Sequence, residues 1–384
     1  MITSIHPLAI TMWDFSWIER RWDGAGFEDW DTALEQLKAR GYDAVRIDAF
    51  PHLLSRDKER EWLLLPVWYA NDWGSPYKLR VRLFPALTDF IAKCREKRIK
   101  VGLSSWFRED SDNVRMGLDT PQSMAKCWID TLRLIDEAGL LDAILYVDLC
   151  NEFPGDFWAP YFRNDPPWMT WSCWHTDRAM AYMRQAIDLV RGVYPQLPYC
   201  FSFDGDNTGH YREKDLSFFD LAEHHIWMTK LNRQQFYNEV GKAKDGRFTE
   251  EAYHLLSDHA LDVYEGKKEY WQSLLVKSVQ TLAADALAAG LPLATTECWG
   301  ITDYKDFPML PWGWVKELCE LGVRTACETG QWALTATSNF AAPQFCGMWR
   351  DVSWHQRMTD MIHRAPLPEA LKTSPLYNTM QWHT

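Results

Sequence analysis

The chain is predicted to fold as a single (β/α)8 TIM barrel, with long loops at the face where the carboxyl ends of the strands lie. Eight short apolar or β-branched runs alternate with helix-period segments, as expected for right-handed βαβ units around a parallel sheet. No Pro/Ser/Gly-rich linker divides the 384 residues, so one domain over residues 1–384 is expected. No G-x-G-x-x-G follows an early strand, which disfavours a dinucleotide-binding sheet.

The predicted strands are short, and most follow a helix that ends near a glycine or a basic residue. They cover residues 9–15, 44–50, 99–106, 143–149, 199–203, 221–227, 293–296 and 323–327. The predicted helices cover residues 27–40, 87–97, 121–138, 176–193, 269–289, 314–321 and 354–362. Gly41, Gly139, Gly290 and Gly322 are interpreted as the glycines that end four of these helices. The fifth helix is the weakest, because only residues 214–219 are available for it.

Three predicted loops, residues 153–175, 228–268 and 298–313, are longer than a βα connection requires. They follow the fourth, sixth and seventh strands, at the face that carries the active site in such barrels. Their tryptophans suit stacking on sugar rings, so we interpret the loops as walls of a sugar pocket, with stabilising lids as the alternative. These tryptophans are Trp158, Trp168, Trp171 and Trp174 in the first loop, and Trp299 and Trp312 in the third.

Charge and cysteine content exclude several classes of function. The net charge of −12 argues against nucleic acid or an anionic membrane as partner. The nine cysteines are odd in number and form no C-x-x-C pair, which favours free thiols over disulfides or zinc sites. No signal-peptide pattern and no run of 18 apolar residues occurs, so a cytoplasmic location is expected. The sequence gives no indication of the oligomeric state.

Two glutamates are the candidate catalytic residues. Glu152 lies just beyond the fourth predicted strand, after Asn151, and Glu297 ends the seventh. Hydrolysis of a glycoside with retention uses two carboxyl groups about 5–5.5 Å apart, one as acid/base and one as nucleophile. Carboxyls that end facing strands of a barrel can meet this spacing. The amide of Asn151 is suited to hydrogen-bond a sugar 2-hydroxyl.

The pair of Asn-Glu at strand four and Glu at strand seven resembles the clan A retaining glycoside hydrolases, the cellulase-like barrel enzymes. The resemblance implies that Glu152 is the acid/base and Glu297 the nucleophile. It also implies that Arg46, at the end of the second strand, lies near the nucleophile, where a cation keeps a carboxylate ionised. His225 matches the histidine of the clan's His-x-Tyr motif on strand six.

Two departures indicate a divergent family. Phe153 stands between the Asn-Glu pair and Pro154, and Trp227 stands where the clan has the tyrosine of His-x-Tyr. In the clan a tryptophan platform follows strand eight, and Trp332 is the candidate for it. Further candidates at strand ends, each equally compatible with a structural role, are Trp106, Asp204, Trp299, Asp48, Asp206 and Glu328.

The expected function is exo-acting hydrolysis of short β-linked glycosides by double displacement, with a small carbohydrate as partner and no cofactor or metal. One alternative is a metal-dependent sugar isomerase or epimerase, with Glu152, Asp204, His225 and Glu297 or Glu328 as ligands. The second alternative is a barrel that binds sugar without catalysis.

Overall fold

A computed structural model describes residues 5–68, 73–162, 173–205, 208–242, 249–306 and 310–382. Eight parallel strands form the barrel, which confirms the predicted fold class. They are β1 Leu8–Asp14, β2 Ala44–Asp48, β3 Lys100–Ser104, β4 Ile144–Asp148, β5 in two pieces at Tyr199–Cys200 and Ser202–Asp204, β6 Ala222–Trp227, β7 Leu293–Thr295 and β8 Trp332–Ala336.

The barrel closes because each strand pairs with its neighbours in chain order. β8 pairs with β1, and its Leu334 lies opposite Leu8. The first piece of β5 pairs with β4, and the second piece pairs with β6. Beyond β7, the short strand Cys298–Trp299 pairs with the end of β6. The carboxyl ends of all eight strands therefore lie at one mouth.

A helix follows each strand and covers the outside of the barrel. These helices are α1 Trp30–Ala39, α2 Ala86–Glu96, α3 Pro121–Glu137, α4 Asp177–Arg191, α5 His210–Glu213, α6 Lys268–Ala289, α7 Gly313–Thr329 and α8 Val352–His363. Local signals define the first turns: the side chain of Thr120 accepts a hydrogen bond at the start of α3, and that of Thr176 does so at the start of α4. As expected, α5 is the weakest helix, with only one turn, but that turn lies before the predicted residues 214–219, which are not helical.

The predicted eighth strand is wrong. Residues 323–327 belong to α7, which continues through Gly322 and ends at Gly330, whose φ is 67°. Gly322 is required by a close approach, because a Cβ there would lie 2.5 Å from Cγ of Trp299. Gly322 lies in the middle of α7, and the β-branched residues after it resemble a strand, so the end of the helix was predicted too early. The true eighth strand begins at Trp332.

The connections at the mouth are more structured than expected. The segment predicted as a long loop over residues 228–268 contains the helices Leu231–Val240 and Glu250–Gly266. Residues 49–85, after β2, form an insertion that the sequence interpretation missed. It includes the helix Pro51–Arg56 and an antiparallel hairpin of Glu61–Leu64 with Leu79–Arg82.

Two further observations concern the cysteines and the length and polarity of the helices. All nine cysteines lie in the described residues, and none forms a disulfide. Within the described ranges no helix is both long and apolar enough to span a bilayer.

Candidate active site

The chain turns sharply at the barrel mouth. Asp14, Phe50, Phe107 and Glu152, at or just beyond the ends of β1 to β4, have φ values of 39°, 49°, 39° and 46°. Left-handed backbone costs a residue with a side chain on the order of 1–3 kcal/mol, and such residues cluster at functional sites. Four such residues at successive strand ends make the mouth a candidate site.

The two candidate glutamates lie together at this mouth. A carboxylate oxygen of Glu152, one of Glu297 and a ring nitrogen of His225 all lie within 4.8 Å of one another. Nδ1 of His225 is 2.9 Å from Oε1 of Glu152 and 3.8 Å from Oε1 of Glu297. The backbone N–H of Glu152 donates to Oγ of Ser202, 3.0 Å away, which fixes the turn that carries this glutamate.

Arg46 is a second cation that contacts Glu297. Its Nη1 lies 3.2 Å from Oε1 of Glu297, and its Nη2 lies 2.5 Å from Oδ2 of Asp148 and 2.8 Å from Oδ1 of Asn151. The guanidinium also lies over the ring of Trp106, 4.7 Å from the centroid. Arg46 and Asp148 are fully buried, so this cation and its carboxylates compensate one another without water.

A third carboxylate, that of Glu223, lies near the second ring nitrogen of His225. Oε1 of Glu223 is 3.6 Å from Nε2 of His225 and accepts hydrogen bonds from the backbone N–H and the hydroxyl of Thr296. Its other oxygen accepts from the hydroxyl of Tyr146 at 2.9 Å. Although burial opposes it, contact with His225 and the charge of Arg46 lower the pKa of Glu223 to about 2. Burial likewise opposes a charged His225, but Glu297, Glu152 and Glu223 together raise its pKa to about 10. His225 is therefore an imidazolium at neutral pH.

At Glu297 the effect of burial outweighs that of the nearby cations. Desolvation raises the pKa of Glu297 to about 7, and the charge of Glu152 adds to the effect, while His225, Arg46 and Lys230 oppose it. Two carboxyl groups this close titrate as a pair that shares a proton.

Lys230 is a further cation at the mouth. Its Nζ lies 2.5 Å from Oδ2 of Asp204, at the end of β5, and 3.9 Å from Oε1 of Glu152. It also lies 5.4 Å from the ring centroid of Trp227. The structure thus brings Asp204 to the mouth as part of an ion pair next to Glu152.

Comparison with known proteins is consistent with this geometry. The family model described as sugar-binding cellulase-like matches residues 10–363. The chain belongs to this cellulase-like family. None of the curated proteins compared with it matches.

Solved structures with the same fold are consistent with this family assignment. A protein from Parabacteroides distasonis ATCC 8503, provisionally named a glycoside hydrolase, is 49% identical with a TM-score of 0.94, covering 98% of this chain and 99% of that one. GH5_18 from Streptomyces cattleya, in complex with GlcNAc, is 10% identical with a TM-score of 0.54, covering 95% and 83%. The endo-1,4-β-D-mannanase from Thermotoga petrophila is 11% identical with a TM-score of 0.52, covering 86% and 87%. The last two share the fold alone, and their low identity fits the predicted divergent family.

Of the candidate tryptophans, Trp106 and Trp227 lie beside the charged centre of this cellulase-like protein. Trp227 is 1% exposed, and its indole N–H has no hydrogen-bond partner among the described residues. Trp299 packs on Gly322 of α7, and its N–H donates to the carbonyl of Ala336. Trp332 begins β8 instead of following it, and its N–H donates to Oγ1 of Thr295. Trp332 is therefore not the platform after β8, and Trp299 is part of the contact between barrel and helix layer.

The remaining minor candidates have other placements. Asp48 accepts hydrogen bonds from the backbone of Phe50 and of Trp106, a structural role. Glu328 is exposed near the end of α7, because the strand it was expected to follow is a helix. Asp206, Trp168 and Trp171 lie outside the described residues.

Aromatic contacts join the loops of the cellulase-like mouth. Trp73, from the insertion after β2, lies with its ring centroid 6.0 Å from that of Trp227 and 6.3 Å from that of Phe340. Trp68, from the same insertion, stacks on Phe157 of the loop after β4 at 5.4 Å. The sequence interpretation missed this insertion, although its density of Trp, Pro and Gly between two apolar runs was a usable signal.

The spacing of Glu152, His225 and Glu297 fits a metal-binding triad, but the charges do not. A metal ligand must be a neutral imidazole, so an ion would have to replace the contact between Nδ1 of His225 and Glu152. Arg46 and Lys230 add two more positive charges around the same carboxylates. The described residues therefore favour a site for acid–base chemistry over one for a divalent ion.

Proposed function

We propose that this protein is a retaining β-glycoside hydrolase in which Glu297 is the nucleophile and Glu152 the acid/base. The observation that carries the proposal is that these two buried carboxylates meet at the mouth, with one oxygen of each within 4.8 Å of the other. An inverting enzyme needs about 6.5–9.5 Å between its carboxyls to admit a water.

The surroundings of each glutamate support these roles. Arg46 contacts Glu297 directly and so opposes the effect of burial on this carboxyl. The proposed reaction begins with Glu297 ionised and the proton on Glu152. Glu297 then attacks the anomeric carbon while Glu152 protonates the leaving oxygen, which gives a glycosyl-enzyme ester. In the second half, Glu152 removes a proton from water as that water displaces Glu297. His225 stays close to both carboxylates while the charge moves from one to the other.

A panel of nitrophenyl glycosides tests the reaction. We expect hydrolysis of at least one member among the β-glucoside, β-galactoside, β-mannoside, β-xyloside and α-arabinofuranoside, with turnover insensitive to EDTA. Proton NMR of the first-formed sugar should show the anomeric configuration of the substrate. Inversion would contradict the double displacement. Metal-dependent turnover would indicate the isomerase class, and binding without turnover would indicate a non-catalytic barrel.

We further propose exo-action on the terminal β-linked residue of a short glycoside, with a small carbohydrate as the partner. The insertion after β2 contacts the loop after β4, Trp227 at the end of β6 and Phe340 after β8, which favours a pocket over an open cleft. The expected cytoplasmic location, which fits nine cysteines that form no disulfide, would supply soluble glycosides of this size.

The product profile on a tetrasaccharide of the preferred linkage tests exo-action. We expect monosaccharide to appear first, from one end of the chain. A disaccharide as the first product, released by cleavage of the central bond, would indicate a cleft and overturn exo-action while leaving the catalytic assignment intact.

A further inference from the structure

Asn339 is a buried polar residue that lacks the partners burial normally requires. It follows β8, and its side chain is 1% exposed. Neither Oδ1 nor Nδ2 has a hydrogen-bond partner in the part of the chain that the structure describes. A buried polar group without a partner costs on the order of 1–3 kcal/mol, and such groups are few in native proteins.

The two residues before Asn339 are accounted for by the fold. The hydroxyl of Thr337 is hydrogen-bonded to that of Tyr42, and the hydroxyl of Ser338 accepts a hydrogen bond from the backbone N–H of Phe340. Asn339 is thus the first residue beyond β8 whose side chain the described protein leaves unsatisfied.

Asn339 lies on the side of the mouth occupied by Glu297. Its backbone N–H donates to the carbonyl of Cys298, the residue after Glu297, at 2.9 Å. The ring of the next residue, Phe340, contacts Trp73, and Trp73 contacts Trp227. The backbone of Asn339 is therefore tied to the segment that carries Glu297, and its neighbour Phe340 belongs to the aromatic contacts at the mouth.

We propose that the amide of Asn339 recognises hydroxyl groups on the sugar ring whose glycosidic bond is cleaved. This inference rests on the proposed glycosidase function. An amide offers a donor, Nδ2, and an acceptor, Oδ1, so it can bond two adjacent hydroxyls of one ring. Where the resemblance led us to expect an aromatic platform after β8, this chain has a polar group. The sugar ring bound next to Asn339 is then selected through its hydroxyl groups. A sugar that lacks one of these hydroxyls would leave the buried amide without a partner.

The first test is the stability of the Asn339→Leu variant, measured by chemical denaturation. Leucine removes an unsatisfied amide at similar volume, so we expect the variant to be as stable as the parent protein or more stable. Thr337→Val is the matched control, because it removes a buried hydroxyl that has a protein partner and should reduce stability. A loss of stability in Asn339→Leu as large as in the control would overturn the proposal, since it would mean that the amide has a protein partner.

The second test is discrimination between a glycoside and its monodeoxy analogues. For the parent protein, one analogue should lose roughly 10–100-fold in kcat/KM, the equivalent of about 1–3 kcal/mol. Asn339→Leu should lose a similar factor on the complete glycoside and show no further loss on that analogue, whereas Thr337→Val should discriminate like the parent. Unchanged discrimination in Asn339→Leu would overturn the role of Asn339 while glycosidase activity stands. If the parent protein neither hydrolyses any glycoside nor binds an iminosugar in a calorimetric titration, the proposed function fails, and this inference fails with it.

Discussion

Glu297→Ala is expected to lower kcat by roughly 10⁴–10⁶-fold, as removal of a covalent nucleophile does in other enzymes. Without this carboxylate no glycosyl-enzyme can form, but the space it leaves can admit a small anion. Added azide should therefore restore turnover of an activated aryl glycoside and give a glycosyl azide of inverted configuration. Single-turnover kinetics and NMR of the azide product measure both effects.

Two further variants test whether the effects of Glu297→Ala are specific to the nucleophile. Glu152→Ala should lose on the order of 10²–10⁴-fold on glycosides with poor leaving groups and much less on activated aryl glycosides, because only the former need the proton. Glu328→Ala removes an exposed glutamate of α7 and should leave kcat unchanged. Equal losses on both substrate types in Glu152→Ala would contradict its acid role, and an azide effect in Glu328→Ala would show that rescue is nonspecific.

Arg46→Met is expected to have the largest effect on stability. It removes one buried cation from Asp148 and Glu297, and the amide oxygen of Asn151 loses its partner at the same time. Removing one member of a buried ion pair typically costs about 3–5 kcal/mol, because the remaining charges stay desolvated. Urea denaturation at pH 8, where Glu297 is mostly ionised, should show a loss of this size.

A double variant tests the cause of that loss. Glu297→Gln removes one of the two uncompensated charges, so Arg46→Met combined with Glu297→Gln should be more stable than Arg46→Met alone. Arg46→Lys keeps the charge but not the planar fork, and it should lose less stability than Arg46→Met. Additive effects of Arg46→Met and Glu297→Gln would mean that the arginine stabilises the barrel by packing, not by compensating the glutamate.

The catalytic candidates could be predicted because their signal is local. Glu152 and Glu297 are acidic residues directly after short apolar runs, and the closed barrel then brings the strand ends together. Arg46 and His225 required the resemblance to a family, because nothing in their local sequence indicates which carboxylate they contact.

Other parts of the site depend on contacts between distant segments. Glu223, His225 and Trp227 alternate along β6, and this repeat of polar or aromatic groups was a usable signal that Glu223 shares a face with His225. Lys230 reaches Asp204 only through the fold, with no local pattern to indicate it. Asn339 was missed because the strand before it was misplaced: Val323 and Thr325 favour strands, but their burial on α7 overrides that preference.

The division of β5 has a consequence for how the barrel opens. Its two pieces have only two and three residues, they pair with different neighbours, and the helix that follows has four residues. Few backbone hydrogen bonds therefore hold this unit to its neighbours, so we expect its amide protons to exchange faster than those of the longer strands. Asp204 lies in the second piece, so such an opening would carry away the carboxylate that holds Lys230. The same piece holds Ser202, which accepts the hydrogen bond from the backbone N–H of Glu152, so loosening of this one unit would disturb both the cation beside Glu152 and the turn that carries it.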